Sequence, residues 1–313
     1  MLKFITFRIL WIIPILLLSS FAIFALLRLS GIDPVMQYII HSHLESSPEL
    51  IAQITQDFGL DKPLLTQYFA WLSNAIKLDF GTSYISGDSV SDDFFYYLPN
   101  TLKLAAFAFI LMLLFSIPMG LISFIYRDRA PDFFIRFICF LGVSTPSFWL
   151  AFLLIMLFSI HLEWLPAQGL DSIQSYILPA FSIAFMSACV NARIIRTNMI
   201  ENANERHILY AQARGISSPK IVLKHIFYNS LLPVVTAFGM HFGEILGWAL
   251  VIENIFVLPG IGLYSIQGFL NHDFPIIQCF IVVMCLIFTL GNLAVDILYA
   301  FLDSRILRDI NSV

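Results

Sequence analysis

Six long apolar runs divide the chain, at about residues 9–28, 101–126, 137–160, 176–197, 229–256 and 275–302. A helix needs about 20 apolar residues to cross a hydrocarbon core about 30 Å thick, so each run predicts one spanning helix. Backbone in lipid must satisfy its own hydrogen bonds, which a helix does internally. The pattern therefore predicts an all-α membrane protein with six transmembrane helices. The polar stretch between the first two runs, about 29–100, is too long for a simple connection. Within it, "SPELIAQITQDFGL" opens on a Ser-Pro pair and has the apolar spacing of a short amphipathic helix. "KPLLTQYFAWLSNAIKL" reads as a second one. A small, mostly helical segment is expected between the first two spans.

Composition agrees with this reading. The 313 residues are 59% hydrophobic and only 12% charged, against about 25% charged in soluble domains. The net charge of −4 says little, but the placement of basic residues says more. With the N-terminus cytoplasmic, 13 of the 17 Lys and Arg fall inside; Arg28, Lys62, Lys77 and Lys103 fall outside. The positive-inside rule then puts both termini in the cytoplasm and makes the acidic 29–100 segment extracytoplasmic. The first run is read as a span rather than a cleaved leader, since no small-residue cleavage site follows it. Cys139, Cys189, Cys279 and Cys285 all lie in apolar runs without metal-ligand spacing, and read as small core hydrophobes. The expected organisation is residues 1–96 as first span plus extracytoplasmic segment, 97–302 as a five-span core, and 303–313 as a cytoplasmic tail.

One polar stretch interrupts the core at about 198–228 and includes "YAQARGISSPKIVLKHIFYNSLLPVV", residues 210–235. Residues 202–214 predict a short helix, and Gly215 offers the left-handed position that ends helices. Ser218 is then the expected N-cap and Pro219 the first helical residue. The second helix runs through Ile221, Val222 and His225 into the fifth span. The segment is either an ordinary basic loop or a folded elbow suited to docking a soluble partner. Two capped helices favour the elbow.

The fifth span carries the other candidate chemistry. Gly239, Gly243 and Gly247 recur every four residues and predict one stripe for close helix packing. Met240, His241 and Glu244 share an arc facing away from it. Charges inside a span are costly and usually functional, and imidazole and carboxylate both bind nickel. Two readings stand: a translocation path with weak, mixed metal ligands, His241 and Glu244, or a His241–Glu244 hydrogen bond that orients helices. Asp296 in the sixth run is expected to pair with a loop arginine. His41 and His43 read either as a metal pair or as solvated side chains. No GxxxxGK[ST] is present, so no P-loop nucleotide site is expected in this chain. HExxH and GxSxG are missing too, which argues against an enzyme. "LPGIGLYS" reads as a turn. The basic residues sit at membrane edges and in the elbow, which does not indicate nucleic-acid binding.

The elbow resembles the cytoplasmic signature loop of bacterial ABC-importer permeases. In that family the loop docks into a cleft of the ATPase subunit. Ala211, Ala213 and Gly215 match it, with His225 ten residues after the glycine and "NSLLPVV" beyond. The usual leading acid is missing near Leu209, and Phe227 and Tyr228 stand where a Leu-Pro pair is common. Both departures resemble the branch that carries dipeptides, oligopeptides and nickel. "FGLDKPLLTQYFAWLSNAIKLDFGTSY", "FLGVSTPSFWLAFLLIMLFS", "VIENIFVLPGIGLYSI" and "DILYAFLDSRI" resemble that branch as well, so the similarity runs from about residue 5 to 308. "GMHFGEILG" and "NHDFPIIQCF" look closest to nickel-import permeases. The resemblance implies a type I ABC importer permease fold in the bacterial inner membrane, translocating nickel, free or chelated. It implies that Ala211, Ala213, Gly215, Ser218, Pro219 and His225 form the ATPase-coupling loop. It implies a second homologous permease, two ATPase subunits and an extracytoplasmic substrate-binding protein. No cofactor is expected on this chain; ATP and Mg belong to the ATPase subunits. The alternatives are a dipeptide or oligopeptide permease of the same family and, from a different class, a stand-alone ion channel. The elbow argues against the channel.

Overall fold

A computed structural model describes residues 2–169 and 172–302. The expected tail 303–313, with Arg305 and Arg308, lies outside the described residues. In chain order the helices are α1 (Leu2–Leu29), α2 (Pro34–His41), α3 (Pro48–Asp57), α4 (Leu64–Ala75), α5 (Val90–Ile125), α6 (Ala130–Ser144) and α7 (Ser147–Leu154). There follow α8 (Ile177–Ala203), α9 (Arg206–Ala213), α10 (Ser218–Lys220), α11 (Tyr228–Ile255), α12 (Ile261–Leu270) and α13 (Phe274–Leu302). Among the described residues the only β pairing is an isolated bridge between Thr82 and Ser89. The all-α class is as the apolar pattern predicts.

Among the described residues five helices are long and apolar enough to cross a membrane, within α1, α5, α8, α11 and α13. The expected third span, 137–160, is not one straight helix. It is α6 followed by α7 and a π-helical turn over Ile155–His161, with a bend of 106° at Thr145-Pro146. Counted as one broken span, it is the sixth. Proline cannot donate its backbone nitrogen and pushes the preceding residue out of helical geometry. Thr145 accordingly sits at φ −98°, ψ 119°, and α7 restarts immediately after Pro146. "LPGIGLYS" is also more than a turn, since α12 begins at Ile261.

The chain divides into two units. One comprises Thr6–Thr101 with Pro259–Leu290. Here α3 and α4 occupy the two predicted amphipathic segments, and Ser47 caps α3 through the Leu50 N–H as its sequence suggests. Helix α2 is an addition: Asp33 caps it through Val35 N–H, with Pro34 opening the helix. Val35, Ile39 and Ile54 close a small core between α2 and α3. The fully buried Asp273, just before α13, ties in the loop after α4. Its Oδ2 accepts from the Ser83 hydroxyl at 2.7 Å and from the N–H groups of Tyr84 and Ile85 at 2.8 and 3.3 Å. Burial pushes the Asp273 pKa up, and those hydrogen bonds oppose the shift. His41 Nε2 lies 3.0 Å from the Asn271 carbonyl, so His41 is a structural contact rather than a solvated side chain.

The other unit is built on Leu102–Leu258 and takes in α13 from Gly291. Helix α8 is its centre, packed against α6, α7 and α11. Close approach depends on small residues: an added Cβ at Gly142 would overlap Cys189, and one at Gly239 would overlap Val295. Cys139, Cys189 and Cys279 are buried, Cys285 is half-buried, and all are free thiols, which fits their reading as core residues.

Candidate coupling elbow and translocation path

Helix α8 ends at Ala203, and α9 then runs from Arg206 to Ala213, shorter than the 202–214 helix the sequence suggested. Gly215 takes φ +76°, the left-handed position expected of it. Gly215 N–H bonds to the Gln212 carbonyl at 2.9 Å and Ile216 N–H to the Ala211 carbonyl at 3.2 Å. That pair of bonds is a Schellman cap, which satisfies carbonyls the helix end would otherwise leave open. The next helix starts one residue earlier than predicted. Ser217 is the N-cap, Ser218 the first helical residue and Pro219 the second; no side-chain capping bond forms. Ser217 is extended, at ψ 141°, as expected for a cap two residues before a proline in the first turn. A π-helical turn, Ile221–Phe227, then feeds α11.

The elbow is a packed unit rather than a loose loop. Ile195 and Met199 of α8, Ile208 and Ala211 of α9, Ile221 and Ile226 of the π turn, and Val234 of α11 form one buried cluster. Two polar ties add to it. Asn202 Nδ2 donates to Ser230 Oγ at 3.2 Å, and Asn229 Nδ2 lies 3.3 Å from His207 Nε2. The structure sorts the expected coupling residues. Ala211 is 6% exposed and belongs to the core of the elbow. Ala213, Gly215, Ser218 and Pro219 are exposed, and His225 is half-buried. His225 contributes its carbonyl, which accepts from Asn229 Nδ2 at 2.8 Å. Leu209, Tyr210 and Leu223 were missed. They are large apolar side chains standing exposed on the elbow. Leu209 occupies the place where the family's usual acid is missing, which was the one signal in the sequence.

At the base of α8, Asp132 is fully buried at the start of α6. Arg196 reaches it through both Nε and Nη2, at 2.8 and 2.7 Å. The Ser123 hydroxyl and the Asp128 N–H also donate to this carboxylate. The α5–α6 connection is thereby fastened to the helix that leads into the elbow. A buried ion pair is tolerated only when its remaining lone pairs are satisfied in this way.

On α11, His241 Nδ1 contacts Glu244 Oε2 at 2.6 Å. The His241 side chain is 10% exposed and that of Glu244 53% exposed. A carboxylate that accepts from one ring nitrogen favours the tautomer whose other nitrogen carries a lone pair, an arrangement common behind metal-binding histidines. Met240 is exposed beside them. The contact joins two residues of the same helix, three positions apart, with Glu244 half exposed, so it is not a buried bond between helices, and the path reading stays open. Among the described residues no group of three or more His, Cys, Asp or Glu is placed to hold a metal. The glycine stripe is only partly used for packing. Gly239 packs on Val295, but Gly247 is exposed and an added Cβ would meet nothing within 4 Å.

The chain belongs to the family of binding-protein-dependent transport system inner membrane components, which matches residues 112–308. Residues 1–105 match the N-terminal region of such membrane components. It is 37% identical over 308 residues to the metal-staphylopine import system permease protein CntB of Staphylococcus aureus, covering 98% of both chains. It is 36% identical over 306 residues to the glutathione transport system permease protein GsiC of Escherichia coli, covering 98% of this chain and 99% of that one. The chain is therefore a membrane component of an import system and not an enzyme, and the stand-alone channel reading is set aside.

Proposed function

We propose that the chain forms half of the translocation pathway of an ATP-driven importer, with both termini in the cytoplasm. It pairs with a second related permease and receives solute from an extracytoplasmic binding protein. Two ATPase subunits carry the ATP and Mg; this chain binds no cofactor. The observation that carries the reading is the elbow: two short helices locked by a Schellman cap and a buried apolar cluster, with Leu209, Tyr210 and Leu223 left exposed. A lever must be stiff to pass on force, and an apolar outer surface suits burial in a partner's cleft. Lys and Arg placement supports the orientation.

The solute we infer is nickel, carried as a chelate. Similarity to a metal-staphylopine permease supports a metal cargo. His241 backed by Glu244 offers one nitrogen donor, too few for bare-ion capture but enough for passing contact with a chelate. The peptide reading has its own support in the similarity to a glutathione permease. Uptake of nickel and of dipeptide, assayed side by side in a deletion strain, separates the two. Loss of nickel accumulation alone is expected. Loss of dipeptide uptake with nickel unchanged replaces the metal reading.

A further inference from the structure

A cavity of about 460 Å³ opens in the unit of Thr6–Thr101 and Pro259–Leu290, between the end of α1, helices α3 and α4, and the start of α13. Its volume falls in the range of small-molecule sites, about 300–1,000 Å³. Three lining residues, Arg28, Trp71 and Gln278, each hold a buried nitrogen donor without a hydrogen-bond partner: Arg28 Nη1, Trp71 Nε1 and Gln278 Nε2. Gln278 is 3% exposed. Leaving a buried donor unsatisfied is costly, and proteins rarely keep several together without use. All three are donors, so the matching ligand group is an acceptor.

The charge narrows the choice. Arg28 donates Nε to Gln67 Oε1 at 3.1 Å, and its guanidinium lies over the rings of Phe24 and Phe274 at 5.1 and 5.6 Å. Among the described residues no carboxylate pairs with it within ion-pair distance. At the rim, the exposed Asp57 and Lys62 offset one another. Summed over the lining residues the charges leave one positive, on Arg28, which matches a monoanion better than a doubly charged phosphate. A carboxylate accepts in two directions at each oxygen and pairs with the arginine fork. We propose that this cavity binds the carboxylate of a small solute, with Arg28 as the charge partner and Trp71 and Gln278 as neutral donors. The three nitrogens are sealed within the cavity wall, so binding requires the Arg28 and Gln278 side chains to turn toward the ligand. The proposal rests on the importer reading for the identity of the ligand as cargo, but the binding itself is measured without transport.

The test uses the full chain, purified with the subunits that accompany it, and follows tryptophan fluorescence. The probes are glycylglycine and L-histidine, with glycylglycinamide as the control lacking a carboxylate and glycerophosphoethanolamine as a lipid-headgroup phosphodiester. Both acids are expected to change the emission. Trp71→Phe should abolish the change while weakened binding remains measurable by equilibrium dialysis. Arg28→Gln and Gln278→Ala should each weaken binding, the former by at least about tenfold, the scale of a lost charge-assisted hydrogen bond. Glycylglycinamide should bind at least about tenfold more weakly than glycylglycine. Because Arg28→Gln also removes the contacts of the guanidinium with Phe24, Phe274 and Gln67, Gln278→Ala, checked for wild-type thermal stability, is decisive. Equal binding of acid and amide overturns the proposal, as does binding of the phosphodiester alone or unchanged affinity in folded Gln278→Ala. If ATP-driven uptake is missing while the acids still bind, the importer reading fails and the cavity assignment stands.

Discussion

Arg196 holds both oxygens of Asp132, and the Ser123 hydroxyl and Asp128 N–H complete the carboxylate's shell, so a charge with no solvent exposure is fully compensated. Removing one partner leaves the other charge buried and unpaired, at a cost of about 3–5 kcal/mol. Asp132→Ala and Arg196→Ala should each lower the thermal stability of the purified protein. The double change Asp132→Leu with Arg196→Met should cost less than the sum of the single changes. Additive losses would show that the pair does not act as a unit.

Gly215 has open space around its Cα, so a substitution there acts through the backbone and not through a clash. Its φ of +76° disfavours β-branched residues, with strain of about 1–3 kcal/mol. Gly215→Val should reach the membrane but lose transport and ATPase co-purification. Gly215→Asn should retain most of both, because asparagine tolerates the left-handed region. Wild-type co-purification and ATP hydrolysis in Gly215→Val would remove the elbow from the coupling step.

The exposed apolar residues on the elbow make a separate prediction. Leu209→Ser or Tyr210→Ser touches no buried cluster and should leave thermal stability within about 0.5 kcal/mol. Either should weaken ATPase association if this surface is the docking face. Unchanged association in the double variant would move the docking face elsewhere.

His241→Ala and Glu244→Gln test the path. Loss of the carboxylate behind a metal-contacting imidazole typically costs about 10–100-fold in metal affinity. Both variants should therefore lower nickel uptake at unchanged protein level, with His241→Ala the more severe. If uptake falls in the deletion strain but neither variant alters it, the 2.6 Å contact only ties two side chains of α11 together.

Orientation is checked by labelling. Asp92 and Ser217 are both exposed. A membrane-impermeant maleimide should label Asp92→Cys in intact cells and Ser217→Cys only after permeabilisation. Labelling of both in intact cells would refute the assigned topology.

The sequence by itself determined the helical class, the apolar spans, the left-handed turn at Gly215 and the helices after Ser47 and Pro63. These follow from local causes: apolar length, the φ of glycine, and proline and serine at helix starts. Some local signals were present but misweighted. Asp33-Pro34 opens α2, and Thr145-Pro146 breaks the third span by 106° where an uninterrupted apolar run suggested one rod. What only the tertiary structure decided depends on neighbours distant in the chain. Arg196 finds Asp132 64 positions away, Ala211 turns inward while Tyr210 turns out, and Gly239 meets Val295 while Gly247 meets nothing. Arg28, Trp71 and Gln278 line one cavity although α1, α4 and α13 are far apart in sequence. Helical periodicity fixes which residues share a face, but which face is buried, and against what, is set by packing between helices.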